Sequence, residues 1–84
     1  MKVYLVIEDW ATDGNGCGVA VEVYADRKLA EKRLSEKAEI VKLAKHHDKI
    51  DEVEGDYIDA YVDGWYDNDH DHIYIEEQEV KERL

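Results

Sequence analysis

The chain has 84 residues, 22 acidic against 11 basic, with a formal net charge of −11, two Trp, six Tyr, one Cys, and neither Phe nor Pro. That length supports one small domain, residues 1–84. One Cys excludes an internal disulfide framework and a Cys-based zinc site. The charge argues against direct contact with nucleic acid or an anionic membrane, because phosphates must be met by Lys and Arg.

Residues 2–8 are rich in Val, Ile, Leu and Tyr and predict a first strand. Their longest apolar stretch, residues 4–7, is far shorter than the ~20 residues that span a bilayer. No signal-peptide pattern precedes them, so the cytoplasm is the expected location. Residues 13–18, Asp-Gly-Asn-Gly-Cys-Gly, are a concentrated turn signal. Residues 19–24 form a second β-branched run, and together these give a hairpin over about 2–24. Asp26 stands where a helix N-cap belongs. From Arg27 to about His46 the period becomes helical, with Ala30, Leu34, Ala38 and Val41 on one stripe. Leu29, Ile40 and Leu43 widen that stripe. His46 and His47 fall at its C-terminal end, where a protonated imidazole suits the helix dipole.

Residues 48–56 show no clear period and read as a loop or irregular edge. Residues 57–63 alternate, with Ile58, Ala60 and Val62 on one side and Tyr57, Asp59, Tyr61 and Asp63 on the other. A polar connector carrying Trp65 and Tyr66 leads to a last strand over 72–78, giving a second hairpin over about 57–80. The order β-β-α-β-β predicts an α+β two-layer sandwich, an antiparallel sheet with one long helix across one face. The other face must then be solvated, paired with a copy of itself, or used for binding. Tyr57, Tyr61 and Tyr74 are expected on it.

Charge is distributed unevenly along the chain. Residues 1–25 carry −3, residues 26–49 carry +3 and residues 50–84 carry −11. Carboxylates on alternate strand residues recur about every 6.6 Å, near the phosphate spacing along a DNA strand. Aromatics between them add contact area at low entropic cost. The acidic second hairpin is therefore the candidate binding surface. Its candidate residues are Asp59, Tyr61, Asp63, Trp65, Tyr66, Asp67, Asp69, Asp71, Tyr74, Glu76 and Glu77.

Chemistry finds little support. Asp67, Asp69 and Asp71 have the opening spacing of a calcium loop, but His72 stands at the glycine position and Gln78 at the final glutamate. Asp69, His70, Asp71 and His72 remain weak candidates for a looser metal site. The glycine run lacks a following helix and a Gly-Lys-Ser/Thr ending, so it is no phosphate loop. Cys17 has no visible base, and Ser35 and Thr12 are the only Ser and Thr. No cofactor is implied, and the reading is non-enzymatic.

Three stretches carry a resemblance: Lys2-Val3-Tyr4-Leu5-Val6; Val23-Tyr24-Ala25-Asp26-Arg27-Lys28-Leu29-Ala30-Glu31; and Tyr74-Ile75-Glu76-Glu77-Gln78-Glu79-Val80. Together they resemble small acidic phage and bacterial proteins of order β-β-α-β-β. Size and acidity are also similar to those of phage-encoded inhibitors of bacterial defence, including anti-CRISPR proteins. This resemblance implies a protein of the host cytoplasm that docks on a basic surface, such as that of a nuclease or another nucleic-acid-binding protein. The alternatives are a small homo-oligomeric domain, a homodimer in its simplest form, and a weak metal-binding protein using the Asp/His loop.

Overall fold

The computed structural model describes residues 1–12, 16–45, 47–62 and 69–81. Its elements are β1 (Lys2–Thr12), β2 (Gly16–Tyr24), α1 (Arg27–Ala44), β3 (Lys49–Val53), β4 (Tyr57–Tyr61) and β5 (His70–Glu79). The strands form one antiparallel sheet in the order β2-β1-β5-β4-β3, and α1 packs across one face. This is the expected two-layer α+β arrangement, with one strand more than the sequence pattern indicated.

The additional strand is β3, expected as loop. Its five residues are all exposed and carry Lys49, Asp51 and Glu52, so it lacks the buried stripe that marks a strand. It forms because the chain reverses tightly at 53–56. The Asp56 N–H donates to the Val53 carbonyl at 3.0 Å, and Gly55 takes a left-handed φ of 78° that disfavours residues with a side chain.

β1 and β2 are also longer than their β-branched runs. Strand pairing continues to Thr12 opposite Gly16, so Gly16, Cys17 and Gly18 belong to the strand and not to a turn. Trp10 explains the glycine at position 18. Its ring lies over the backbone there, and a Cβ on Gly18 would sit 2.8 Å from the indole. Residues 13–15 of the expected turn lie outside the described residues.

Helix α1 starts as its sequence indicates. The Asp26 carboxylate accepts from the Lys28 N–H at 2.8 Å. It stops at Ala44, where Lys45 adopts a left-handed cap with φ 52°. His47 therefore lies beyond the helix, and its side chain turns inward, 3.3 Å from Asp69. Ala30, Leu34, Ala38 and Val41 are buried against Val6, Ile58, Ala60 and Ile73. Leu29, Ile40 and Leu43, expected to widen this stripe, are 53%, 65% and 69% exposed. The small side chains of Ala30, Ala38 and Ala60 let the helix lie close to the sheet on a narrow contact; Leu29 and Ile40, a quarter turn or more from the stripe, and Leu43, on the opposite side of the helix, do not reach it.

Replacing Leu34 with Ala is expected to cost about 2–5 kcal/mol, because it empties the centre of a thin core. Gly18→Val is expected to cost about 1–3 kcal/mol by displacing the Trp10 ring. Urea unfolding followed by Trp fluorescence measures both.

Candidate functional site

Strand alternation sorts every sheet residue onto one of two faces. Val6 packs under α1, and register then places Tyr4, Val6, Glu8 and Trp10 of β1 on the helix side. Glu22 and Tyr24 of β2, Asp71, Ile73, Ile75 and Glu77 of β5, and Ile58 and Ala60 of β4 share that side. The intervening residues look away from the helix.

The helix side is closed by ion pairs. Lys37 reaches Glu8 at 3.0 Å and Glu22 at 3.3 Å. Arg33 reaches Glu22 at 2.9 Å and Glu36 at 3.5 Å. Further along, Lys42 pairs with Glu52 at 2.9 Å and Arg27 with Asp56 at 3.2 Å. Four cations of the helix are thus matched to acids of the sheet and of the β3–β4 turn.

One carboxyl of this group has no cation of its own. Asp71 faces Glu8, and burial together with that neighbouring carboxylate pushes its pKa up to about 8. Asp71 therefore keeps its proton and shares it with Glu8. Burial alone would raise Glu8, but hydrogen bonds from Asp71 and Lys37 outweigh it and hold Glu8 below the usual range. Glu22 is drawn down to about 2 by hydrogen bonds from Arg33 and from the Tyr24 hydroxyl, the latter at 2.6 Å. A hollow of about 250 Å³ opens beside the Glu8–Asp71 pair, walled by Trp10, Thr12, His47 and His70.

The helix-free side has a different character. Toward β2 it is apolar: Val19, Val21 and Val23 are more than half exposed beside Leu5 and Ile7. Toward β4 it is aromatic and acidic. The His72 ring lies 4.8 Å from Tyr74 and meets Tyr57 edge-on at 6.3 Å. Tyr61 and Asp59 flank this platform on β4, and Asp9 stands opposite His72 on β1. His70 approaches Asp9 at 3.6 Å. Oδ1 of Asp59 is shielded and receives no hydrogen bond from the described residues. Glu76 lies further along β5, opposite Leu5.

The expected binding residues therefore separate. Asp59, Tyr61, Tyr74 and Glu76 share the helix-free face. Asp71 and Glu77 do not belong with them: Asp71 is bound to Glu8 under the helix, and Glu77 meets Lys2 at 3.5 Å on that same side. Asp69 is only 7% exposed, beside His47. Asp63, Trp65, Tyr66 and Asp67 lie outside the described residues. Treating neighbouring acids of one strand as one surface ignores a period of two, which sends 71 and 77 to one side and 74 and 76 to the other. The same alternation divides the Asp69–His72 run, and no three potential ligands converge on a metal position among the described residues. Tyr57, Tyr61 and Tyr74 lie on the face where alternation places them, whereas His72 and Asp9 are members that the sequence reading does not include, although the spacing 70, 72, 74, 76 carries the signal for His72.

No family model, curated protein or solved structure matches the chain.

The shifted carboxyls set opposite pH dependences. Asp71 holds in the folded chain a proton that the unfolded chain releases above about pH 3.8, so its contribution falls as pH rises toward 8. Glu22 acts in the other direction, contributing above pH 4.5 and losing that contribution as pH falls toward 2. Stability should peak at mildly acidic pH and decline toward pH 8. Asp71→Asn, which keeps a donor for Glu8, should flatten the alkaline decline. Denaturant midpoints between pH 3 and pH 9 test this, and an unchanged slope in the variant would contradict it.

Proposed function

We propose that the protein is a non-enzymatic binding module whose helix-free sheet face docks on a basic surface of another protein. The observation that carries this reading is the partition of charge. Arg27, Arg33, Lys37 and Lys42 of the helix are engaged by carboxylates on their own side of the sheet, whereas Asp9, Asp51, Asp59 and Glu76 belong to the other side, with Lys49 as the one Lys or Arg among the described strand residues there. Asp9 and Asp59 flank His72, Glu76 follows Tyr74 along β5, and Asp51 lies beyond Asp59 on β3. Rigid aromatics ringed by carboxylates suit Lys- and Arg-rich surfaces, through stacking at the centre and steering at the rim.

A surface evolved to hold nucleic acid presents that chemistry, so the partner class we infer is a nuclease or another nucleic-acid-handling protein. Blocking such a surface is also what the resemblance to phage-encoded inhibitors of bacterial defence implies. Docking needs neither a cofactor nor a metal.

The test is capture from nuclease-treated bacterial lysate on wild-type protein and on a double variant, Asp59→Lys with Glu76→Lys. Basic nucleic-acid-handling proteins should be retained by the wild type at about 0.1 M salt, fall away near 0.5 M, and be lost from the double variant at either salt. Equal retention by both proteins would refute this face as the docking surface.

A further inference from the structure

The exposed apolar side chains are not scattered. Of the ten large hydrophobics exposed among the described residues, Val19, Val21 and Val23 line the β2 edge strand, and Leu29, Ile40 and Leu43 lie on the side of α1 away from the sheet. The valines project from the helix-free face. Leu29, Arg33, Glu36, Ile40 and Leu43 follow one ridge of the helix at spacings of three and four, and Arg33 on that ridge reaches down to Glu22 of β2. The ridge therefore runs along the side of the helix away from the sheet, with Arg33 at its β2-facing margin.

That edge has none of the usual protection. β2 runs for nine residues, Gly-Cys-Gly-Val-Ala-Val-Glu-Val-Tyr, as the outermost strand of the sheet. It has no Lys and no Pro, and no strand among the described residues pairs with its outer side. The opposite edge, β3, carries Lys49, Asp51 and Glu52 within five residues. In β2 the single charge is Glu22, and it is occupied by Arg33, Lys37 and the Tyr24 hydroxyl.

We infer that β2 is a self-association edge, pairing antiparallel with β2 of a second copy to give a continuous ten-stranded sheet. Charge selects this occupant. Two chains of net charge −11 repel over most of their surfaces. Along β2 the charges cancel locally, so copies can approach there without that penalty. The sequence is also self-complementary about Val21. A two-fold axis at that residue sets Val21 against Val21 of the second copy and Val19 against Val23. Glu22 then faces Ala20, so no like charges oppose. Tyr24 faces Gly18, whose helix-side surface is covered by the Trp10 ring. The six valines form one stripe across the axis, and the helices lie antiparallel to each other on the other face.

This assembly leaves the acidic aromatic halves at both flanks of the joined sheet. The two β5 strands would stand five strand spacings apart, about 24 Å. The inference goes beyond the docking proposal and stands or falls separately from it.

Sedimentation velocity over about 5 to 500 μM is expected to give twice the chain mass for the wild type. Val21→Lys, which sets two ammonium groups against each other at the axis, should give the mass of one chain with an unchanged circular dichroism spectrum. Val53→Lys, on the opposite edge, should leave the dimer intact. With Cys17 replaced by Ser, Val21→Cys should cross-link to a dimer under mild oxidation. A single-chain mass for the wild type throughout the series overturns the inference, as does a Val21→Lys protein that remains dimeric. A wild-type chain that pairs through β2 only with a strand of a different protein also overturns it.

Discussion

The organising constraint is that one helix must cover five strands. A helix is about 10 Å across, whereas five strands spaced at about 4.8 Å span some 19 Å between their outer axes. Helix α1 therefore covers the middle of the sheet with apolar contacts and cannot cover the margins. The alanines at 30, 38 and 60 bring it close to the sheet, and Leu34 fills the centre against Ile58 and Ile73. The margins on the helix side are bridged by long charged side chains. Arg33 and Lys37 reach outward to β2 and β1, and Lys42 and Arg27 reach toward β3 and its turn. Exposed pairs of this kind contribute little individually, about 0–1 kcal/mol. Their role here is to occupy space and charge where a single helix leaves both unfilled.

Two consequences follow from that geometry. Binding up the cations on the helix side leaves an excess of carboxylate on the other. Among the described residues, three acids beneath the helix, Glu8, Glu22 and Asp71, meet two cations, Lys37 and Arg33, and Asp71 keeps its proton. A negatively charged small protein thus has an interior close to neutral and an acidic outer sheet face around an aromatic platform. On the helix-free face the most exposed valines, Val19, Val21 and Val23, line β2.

Much of the fold was legible in the residues. The helical stripe Ala30–Leu34–Ala38–Val41, the Asp26 cap and the alternation of 57–61 and 72–78 each carried their own period, and together they required one helix on one face of an antiparallel sheet. β3 was hidden because a fully exposed edge strand has no buried face to impose a pattern. The glycine run at 16–18 read as turn because its cause, the Trp10 ring lying across Gly18, is a contact between strands. The site was half legible. Tyr57, Tyr61 and Tyr74 lie on the helix-free face, as their alternation indicates. Asp71 and Glu77 were grouped with them because acidity is visible in a linear sequence, whereas the side of the sheet depends on register. Asp69 is buried through its contact with His47, a pairing across 22 positions that no local pattern encodes.

The central claim is that the helix-free face, and not the helix, meets the partner. Hydroxyl-radical footprinting of the protein alone and with a retained basic partner tests it most directly. The account predicts that Tyr57, His72 and Tyr74 lose reactivity in the complex while Tyr24 and Leu43, on the helix side, keep theirs. Protection of the helix-side residues with Tyr57 and Tyr74 unchanged would contradict it.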